Sequence, residues 1–295
     1  MATRVTASDQ RSRPGLDRPV LVGVDPGGRS TSAVLWAVEE ADRTGRTLRV
    51  TSACPDEPSA RADGLAVRNG IAALARRLAL ADLACEVAVG QAPDVLLGAA
   101  SSSSLLVVGR HGRGGAHRHL LGSTSMAVAG GSPVPVVVVP ERWVQPVMSS
   151  APVVVGVEAG DPTSAGRDRW LPDGDREALD FAFDRADRLR VPVMVVNAFE
   201  LPSLHGWSAE GIGAYRSRCE EALGLRLRPW RDQHPDVEVV PACVAERPAG
   251  AVLQVAQVAQ LTVLGRSSSA LGSTTRGVLE RADRPVAVVP VPTRR

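Results

Sequence analysis

The chain has 295 residues, 44% of them hydrophobic and 22% charged, so two globular domains are expected and wholesale disorder is excluded. Its 34 basic and 32 acidic residues leave a net charge of +2 with no basic stripe, which argues against nucleic acid as a partner. Every basic residue is Arg and none is Lys, so the lysine chemistries of P-loops, protein kinases and Schiff bases are ruled out.

The first segment, 1–18, is polar, carries Arg4, Arg11, Arg13 and Arg18, and has no apolar run behind it; it reads as a disordered tail rather than a signal peptide or anchor. No stretch of the chain approaches the ~20 apolar residues that cross a bilayer. Cys54, Cys85, Cys219 and Cys243 are widely spaced and form no CxxC pair. They read as reduced structural thiols, and the expected location is cytoplasmic, without a membrane partner.

Val-rich runs near 19–25, 47–53, 84–89, 104–109 and 134–139 alternate with helical patterns at Ser30–Thr44, near Gly64–Ala81, at Ala92–Ala100 and at Ser123–Ala129. Continuous apolar strands between helices are the signature of a parallel sheet covered on both faces. Glu141–Ala151, with Pro146, Ser149 and Ser150, reads as a linker.

Beyond the linker the pattern returns. Pro19-Val20-Leu21-Val22-Gly23-Val24-Asp25 recurs as Pro152-Val153-Val154-Val155-Gly156-Val157-Glu158, and Leu105-Leu106-Val107-Val108-Gly109-Arg110 as Leu261-Thr262-Val263-Leu264-Gly265-Arg266. Pro133–Pro140 recurs as Arg284–Pro290. Strands are expected near 152–158, 192–198, 237–242, 261–265 and 286–290. The chain is therefore a tandem of two doubly wound five-stranded α/β domains, 19–142 and 150–292.

Gly109, ending the fourth strand, opens Gly109-Arg110-His111-Gly112; nine residues later Gly122-Ser123 starts a helix. Glycines let backbone N–H groups approach a ligand closely, and a helix start offers unpaired N–H groups, the positive dipole end and a hydroxyl to an anion. That suits a di- or triphosphate. In a doubly wound sheet the ligand lies between strands one and four, and the end of strand one carries Asp25. Asp25 reads either as an acceptor for a ribose or base or as part of a turn with Pro26-Gly27-Gly28. His111, His117 and His119 share the loop, but no Cys or carboxylate cluster accompanies them, and no metal site is assigned. Arg110, Arg113 and Arg118 read equally as phosphate clamps or as a soluble loop surface.

These residues resemble the universal stress protein family, specifically its ATP-binding branch, over nearly the whole chain. The resemblance implies a Rossmann-like, adenine nucleotide alpha hydrolase-like sheet of order 3-2-1-4-5 in each domain, with ATP, alone or with Mg2+, bound in the first. It implies Asp25 at the base and ribose end and Ala53 near the end of strand two. Val108, Gly109, Arg110, Gly112 and Gly122 would lie along the phosphates, with Ser123 and Thr124 as hydroxyl donors. Gly90 and Pro93 match the family's turn before its third helix. It also implies an intramolecular pseudo-dimer through the fifth strands, leaving homodimerisation of whole chains open.

The second copy departs from the pattern. Glu158 stands where Asp25 stands, Ser268 replaces the middle glycine, and six residues rather than twelve separate Gly265 from Gly272. An insertion, 159–175, has no counterpart. The expected function is a nucleotide-dependent stress regulator seen by an unidentified protein partner, with the second domain as scaffold. The alternatives are a slow ATPase or phosphotransfer enzyme and a nucleotide-free interaction protein. No general base or nucleophile elbow is evident for catalysis.

Overall fold

The computed structural model describes residues 18–27, 30–77, 83–111, 121–144, 150–158, 171–199, 208–266 and 270–292. The tail before Arg18, Gly112 with the rest of the glycine loop, and most of the 159–175 insertion lie outside the described residues. The chain divides into two compact units, Met1–Gln145 and Pro146–Arg295.

The first unit runs β1 (Val20–Val24), α1 (Thr31–Thr44), β2 (Leu48–Cys54), α2 (Glu57–Arg77), β3 (Leu83–Val89), α3 (Ala92–Ala100), β4 (Leu105–Gly109), α4 (Ser123–Gly131) and β5 (Val136–Val139). Its strands lie in the order β3-β2-β1-β4-β5, all pairs parallel. The second unit runs β6 (Val153–Val157), α5 (Asp173–Leu189), β7 (Val193–Phe199), α6 (Ala209–Arg226), α7 (Arg228–Gln233), β8 (Val239–Ala245), α8 (Pro248–Ala256), β9 (Leu261–Arg266), α9 (Ser273–Arg281) and β10 (Val286–Pro290). Its order, β8-β7-β6-β9-β10, repeats that of the first.

Strands buried on both faces explain the absence of alternation. Val20, Leu21, Val22, Leu106, Val107, Val137 and Val139 are all almost fully buried, each contributing about 1.5 to 3 kcal/mol relative to exposure. Both copies keep a glycine in the middle strand for the same reason. A Cβ on Gly23 would lie 2.8 Å from Leu96 of α3, and one on Gly156 would lie 2.8 Å from Leu264 and 2.9 Å from Val252 of α8.

Among the departures from expectation are two element starts and one added helix. Helix α2 starts at Glu57 rather than near Gly64, because the Asp56 carboxylate accepts from the Ser59 N–H at 2.8 Å and the Asp56 carbonyl from the Ala60 N–H at 3.0 Å, fixing the helix start there. Strand β8 begins at Val239 rather than 237, since the Val237 N–H is spent on the His234 carbonyl in a turn. Helix α7 has no counterpart in the sequence reading; Pro229 sits in its first turn, and its buried Trp230 donates from Nε1 to Asp180 of α5 at 2.6 Å.

Candidate functional site

At the end of β1 the chain turns through Asp25 and Pro26 into α1. Ser30, buried at 7% exposure, precedes the helix, and its hydroxyl accepts the Asp25 N–H at 3.0 Å. This short loop opens onto a cavity of about 300 Å³ lined by Asp25, Ser30, Thr31 and Val34 on one side and Val67 and Ile71 of α2 on the other. A mostly apolar lining with a few polar groups, Asp25, Ser30 and Thr31, is the composition of a small-molecule pocket.

At the end of β4 the chain is held from three sides. The Arg110 N–H donates to the Val139 carbonyl at 2.9 Å, and the Arg110 carbonyl accepts from the Gly122 N–H at 2.9 Å, closing the glycine loop at its base. Gly122 caps α4 with extended backbone and no side-chain cap, so the helix start keeps its N–H groups for an outside acceptor. The Ser125 hydroxyl, buried in the first turn of α4, donates to the Gly109 carbonyl at 2.6 Å.

The β1–β4 register pairs Val20 with Leu105 and Val22 with Val107. Two residues further on, the same register sets Val24 beside Gly109, so the pocket edge at Asp25 adjoins the base of the glycine loop. Of the residues singled out in the sequence, Asp25 lines the cavity; Gly109, Arg110, Gly122, Ser123 and Thr124 gather at the neighbouring strand end without lining it. Arg110 is 9% exposed, which removes it from the soluble-surface reading. Val108 is a buried core residue, and Ala53 lies in β2 in register with Ala88. Among the described residues no group of three His, Cys, Asp or Glu could hold a metal ion.

Ser30, Ser125 and the α2 wall were missed in the sequence. Ser30 could have been found as a serine directly before an apolar periodic run; Ser125 carries no such mark. Ser52, one residue before Ala53, is also new. It is fully buried in register with Val24, and its hydroxyl has no hydrogen-bond partner among the described residues.

The second unit builds the same strand ends differently. Asn197 takes the place of Ser52, in register with Val157. Glu158 follows β6 as Asp25 follows β1, and its N–H donates to the Asp175 carboxylate at 2.7 Å, across 17 residues instead of five. Burial pushes the Asp175 carboxyl up to about 6; the Glu158 N–H pulls it down, and the nearby Glu158 charge adds to the rise. Gly265, the counterpart of Gly109, meets the first turn of α5, where a Cβ would lie 2.1 Å from the Gly174 carbonyl oxygen. Gly272 caps α9 with extended backbone as Gly122 caps α4.

Comparison with known proteins agrees with this architecture. The family model described as "Universal stress protein family" matches residues 18–140 and 171–290. A universal stress protein of Mycobacterium tuberculosis is 29% identical over 314 residues, covering 92% of this chain and 95% of its own. One from Mycolicibacterium smegmatis is 29% identical over 303 residues, covering 92% and 96%. Among solved structures, a universal stress protein from Archaeoglobus fulgidus superposes with a TM-score of 0.62 at 17% identity, covering 94% of this chain and 97% of that one; this likeness concerns the fold.

Proposed function

Because the chain belongs to the universal stress protein family, we propose that its first unit binds an adenine nucleotide, ATP, and that the protein acts in the cytoplasm as a nucleotide-dependent stress regulator read by a protein partner. The second unit serves as scaffold and takes no nucleotide. The observation that carries this reading is the meeting of a 300 Å³ pocket at Asp25 with an uncapped helix start at Gly122, brought together by the β1–β4 register. A base fits the apolar wall of Val67 and Ile71, and the carboxylate of Asp25 faces the same space. Phosphates would then lie toward Gly109 and the N–H groups of α4, where Ser123 and Thr124 present hydroxyls. Mg2+, if it accompanies ATP, would be held by the phosphates rather than by a protein cage.

No residue at the site is assigned a catalytic role. The test is calorimetric titration of the full chain with ATP. One ATP per chain is expected. Gly122→Val should abolish binding while the circular dichroism spectrum stays that of the parent, because a branched side chain blocks approach to the α4 start without emptying the core. Unchanged affinity in the folded variant would show that the phosphates bind elsewhere.

A further inference from the structure

We propose that the position held by Ser30 in the first unit and Asp175 in the second decides whether a unit takes a nucleotide, and that in the second unit Asp175 and the first turn of α5 fill the phosphate crevice from within. This rests on the reading of the first-unit crevice as a nucleotide site.

The two positions correspond by structure. Val24 and Val157 end the first strand of each unit, and each lies in register with the fifth residue of the next strand, Ser52 and Asn197. Counting back from those strands, Gly45 and Arg190 are the left-handed C-caps of α1 and α5, at φ 62° and 55°. Ser30 and Asp175 then stand equally far before these caps. Each accepts the N–H of the residue that follows the strand, Asp25 at 3.0 Å and Glu158 at 2.7 Å. The hydrogen bond is the same; the acceptor changes from a hydroxyl to a carboxylate.

The change adds a second carboxylate beside the acidic residue that follows the strand, Asp25 in the first unit and Glu158 in the second. Ser30 lines the first-unit pocket and carries no charge. Asp175 brings a carboxylate that is still ionised above pH 6, although burial holds its proton more tightly than usual. It lies at the third residue of α5, so its carboxylate is held beside the strand end by the turn that reaches Gly265. Space is lost as well as charge complementarity. Helix α5 starts at Asp173, two residues before Asp175, whereas α1 starts one residue after Ser30. Its added turn lies so close to β9 that even one methyl group on Gly265 would overlap the Gly174 carbonyl. Backbone thus sits against Gly265, the counterpart of Gly109, at the end of β9.

The test uses the full chain and two readouts. In ATP titrations, Ser30→Asp should lower affinity by about 100-fold through like-charge repulsion with phosphate, whereas the neutral Ser30→Asn should lower it by less than about tenfold. Both substitutes keep an oxygen that can accept the Asp25 N–H, and an unchanged circular dichroism spectrum confirms that each variant is folded. Equal affinity in the parent and Ser30→Asp overturns the assignment of this position. Should the parent bind no ATP, the nucleotide reading itself fails, and amide exchange decides the filling of the second crevice independently. Asp175→Ala should then speed exchange at Glu158 and residues 173–177 while amides of β7 and β9 keep their protection. Unchanged exchange at Glu158, or loss of protection throughout the second unit, shows that the turn is not a separately seated plug.

Discussion

The two units share strand order, register and helix placement, and they differ most in the connection that follows the first strand. In the first unit the acceptor Ser30 lies five positions after the donor Asp25; in the second, Asp175 lies 17 positions after Glu158. The sheet beneath is unaffected, since β1–β2 and β6–β7 keep equivalent pairings. On the proposed reading, the loops at the strand ends hold the binding capacity, and the second copy differs there without any change to its sheet.

The sharpest way to break the comparison is at Gly109 and Gly265. A Cβ on Gly109 meets, among the described residues, only the His111 carbonyl at 3.5 Å, an ordinary contact. On Gly265 it would meet the carbonyl oxygen, carbonyl carbon and next nitrogen of α5's first turn, at 2.1, 2.3 and 2.8 Å. Backbone on both sides leaves no flexible side chain to move aside. Gly265→Ala is expected to destabilise the chain by more than about 3 kcal/mol, against under about 1 kcal/mol for Gly109→Ala. Urea midpoints of the two variants check this; similar losses would mean that the α5 turn is free to withdraw.

Asp175 sharpens the same contrast through pH. Its folded carboxyl titrates at about 6 against an ordinary 3.8, so between those values the folded state holds a proton that the unfolded chain has released. Stability from this group is full below about pH 4 and is lost as pH rises toward 6, by roughly 3 kcal/mol at most. Asp175→Asn keeps an acceptor for the Glu158 N–H and removes the titration. The variant should therefore gain on the parent as pH climbs from 4 to 7, measured as the difference in unfolding free energy. A constant difference across that range would show that Asp175 is solvated like a surface carboxylate.

Much of this architecture is legible in the residues. The Val-rich runs reveal the strands because burial on both faces leaves no room for polar alternation, and the matching of Gly23 with Gly156 reflects a packing need common to both copies. The glycine at 122 marks a helix start that the structure bears out. The ties that shape the site are less visible. Ser125 reaches back 16 residues to Gly109, and Asp175 reaches back 17 to Glu158. No local pattern encodes a bond whose partner is fixed only by the fold. The sequence pattern places helix α2 near Gly64–Ala81, whereas it starts at Glu57 and carries both Gly64 and Gly70 inside it. Glycine inside a helix costs only about 1 kcal/mol relative to Ala, which the packing of so long a helix overrides.

The smallest expected effect lies at the helix ends, where the units solve one problem with different residues. Gly45 and Arg190 both adopt the left-handed conformation at the C-caps of α1 and α5, and both donate their N–H back to the last turn. An L side chain costs about 1 kcal/mol or more in that conformation and glycine costs little, so Arg190→Gly should stabilise the second unit. Against this stand the ion pairs of Arg190 with Asp236 at 3.1 Å and Asp187 at 3.8 Å. All three side chains are exposed, so the pairs are worth at most a few tenths of a kcal/mol together. Glycine also adds conformational freedom to the unfolded chain, which takes back about 0.5 kcal/mol. The backbone term wins narrowly, and Arg190→Gly should raise stability by about 0.3 kcal/mol in moderate salt, rising slightly as salt screens the lost pairs. Gly45→Arg, the reverse exchange, should cost about 1 kcal/mol, the penalty of an L side chain at φ 62°. A destabilised Arg190→Gly protein at high salt would show that the aliphatic stem of Arg190, rather than its charge, holds the end of α5.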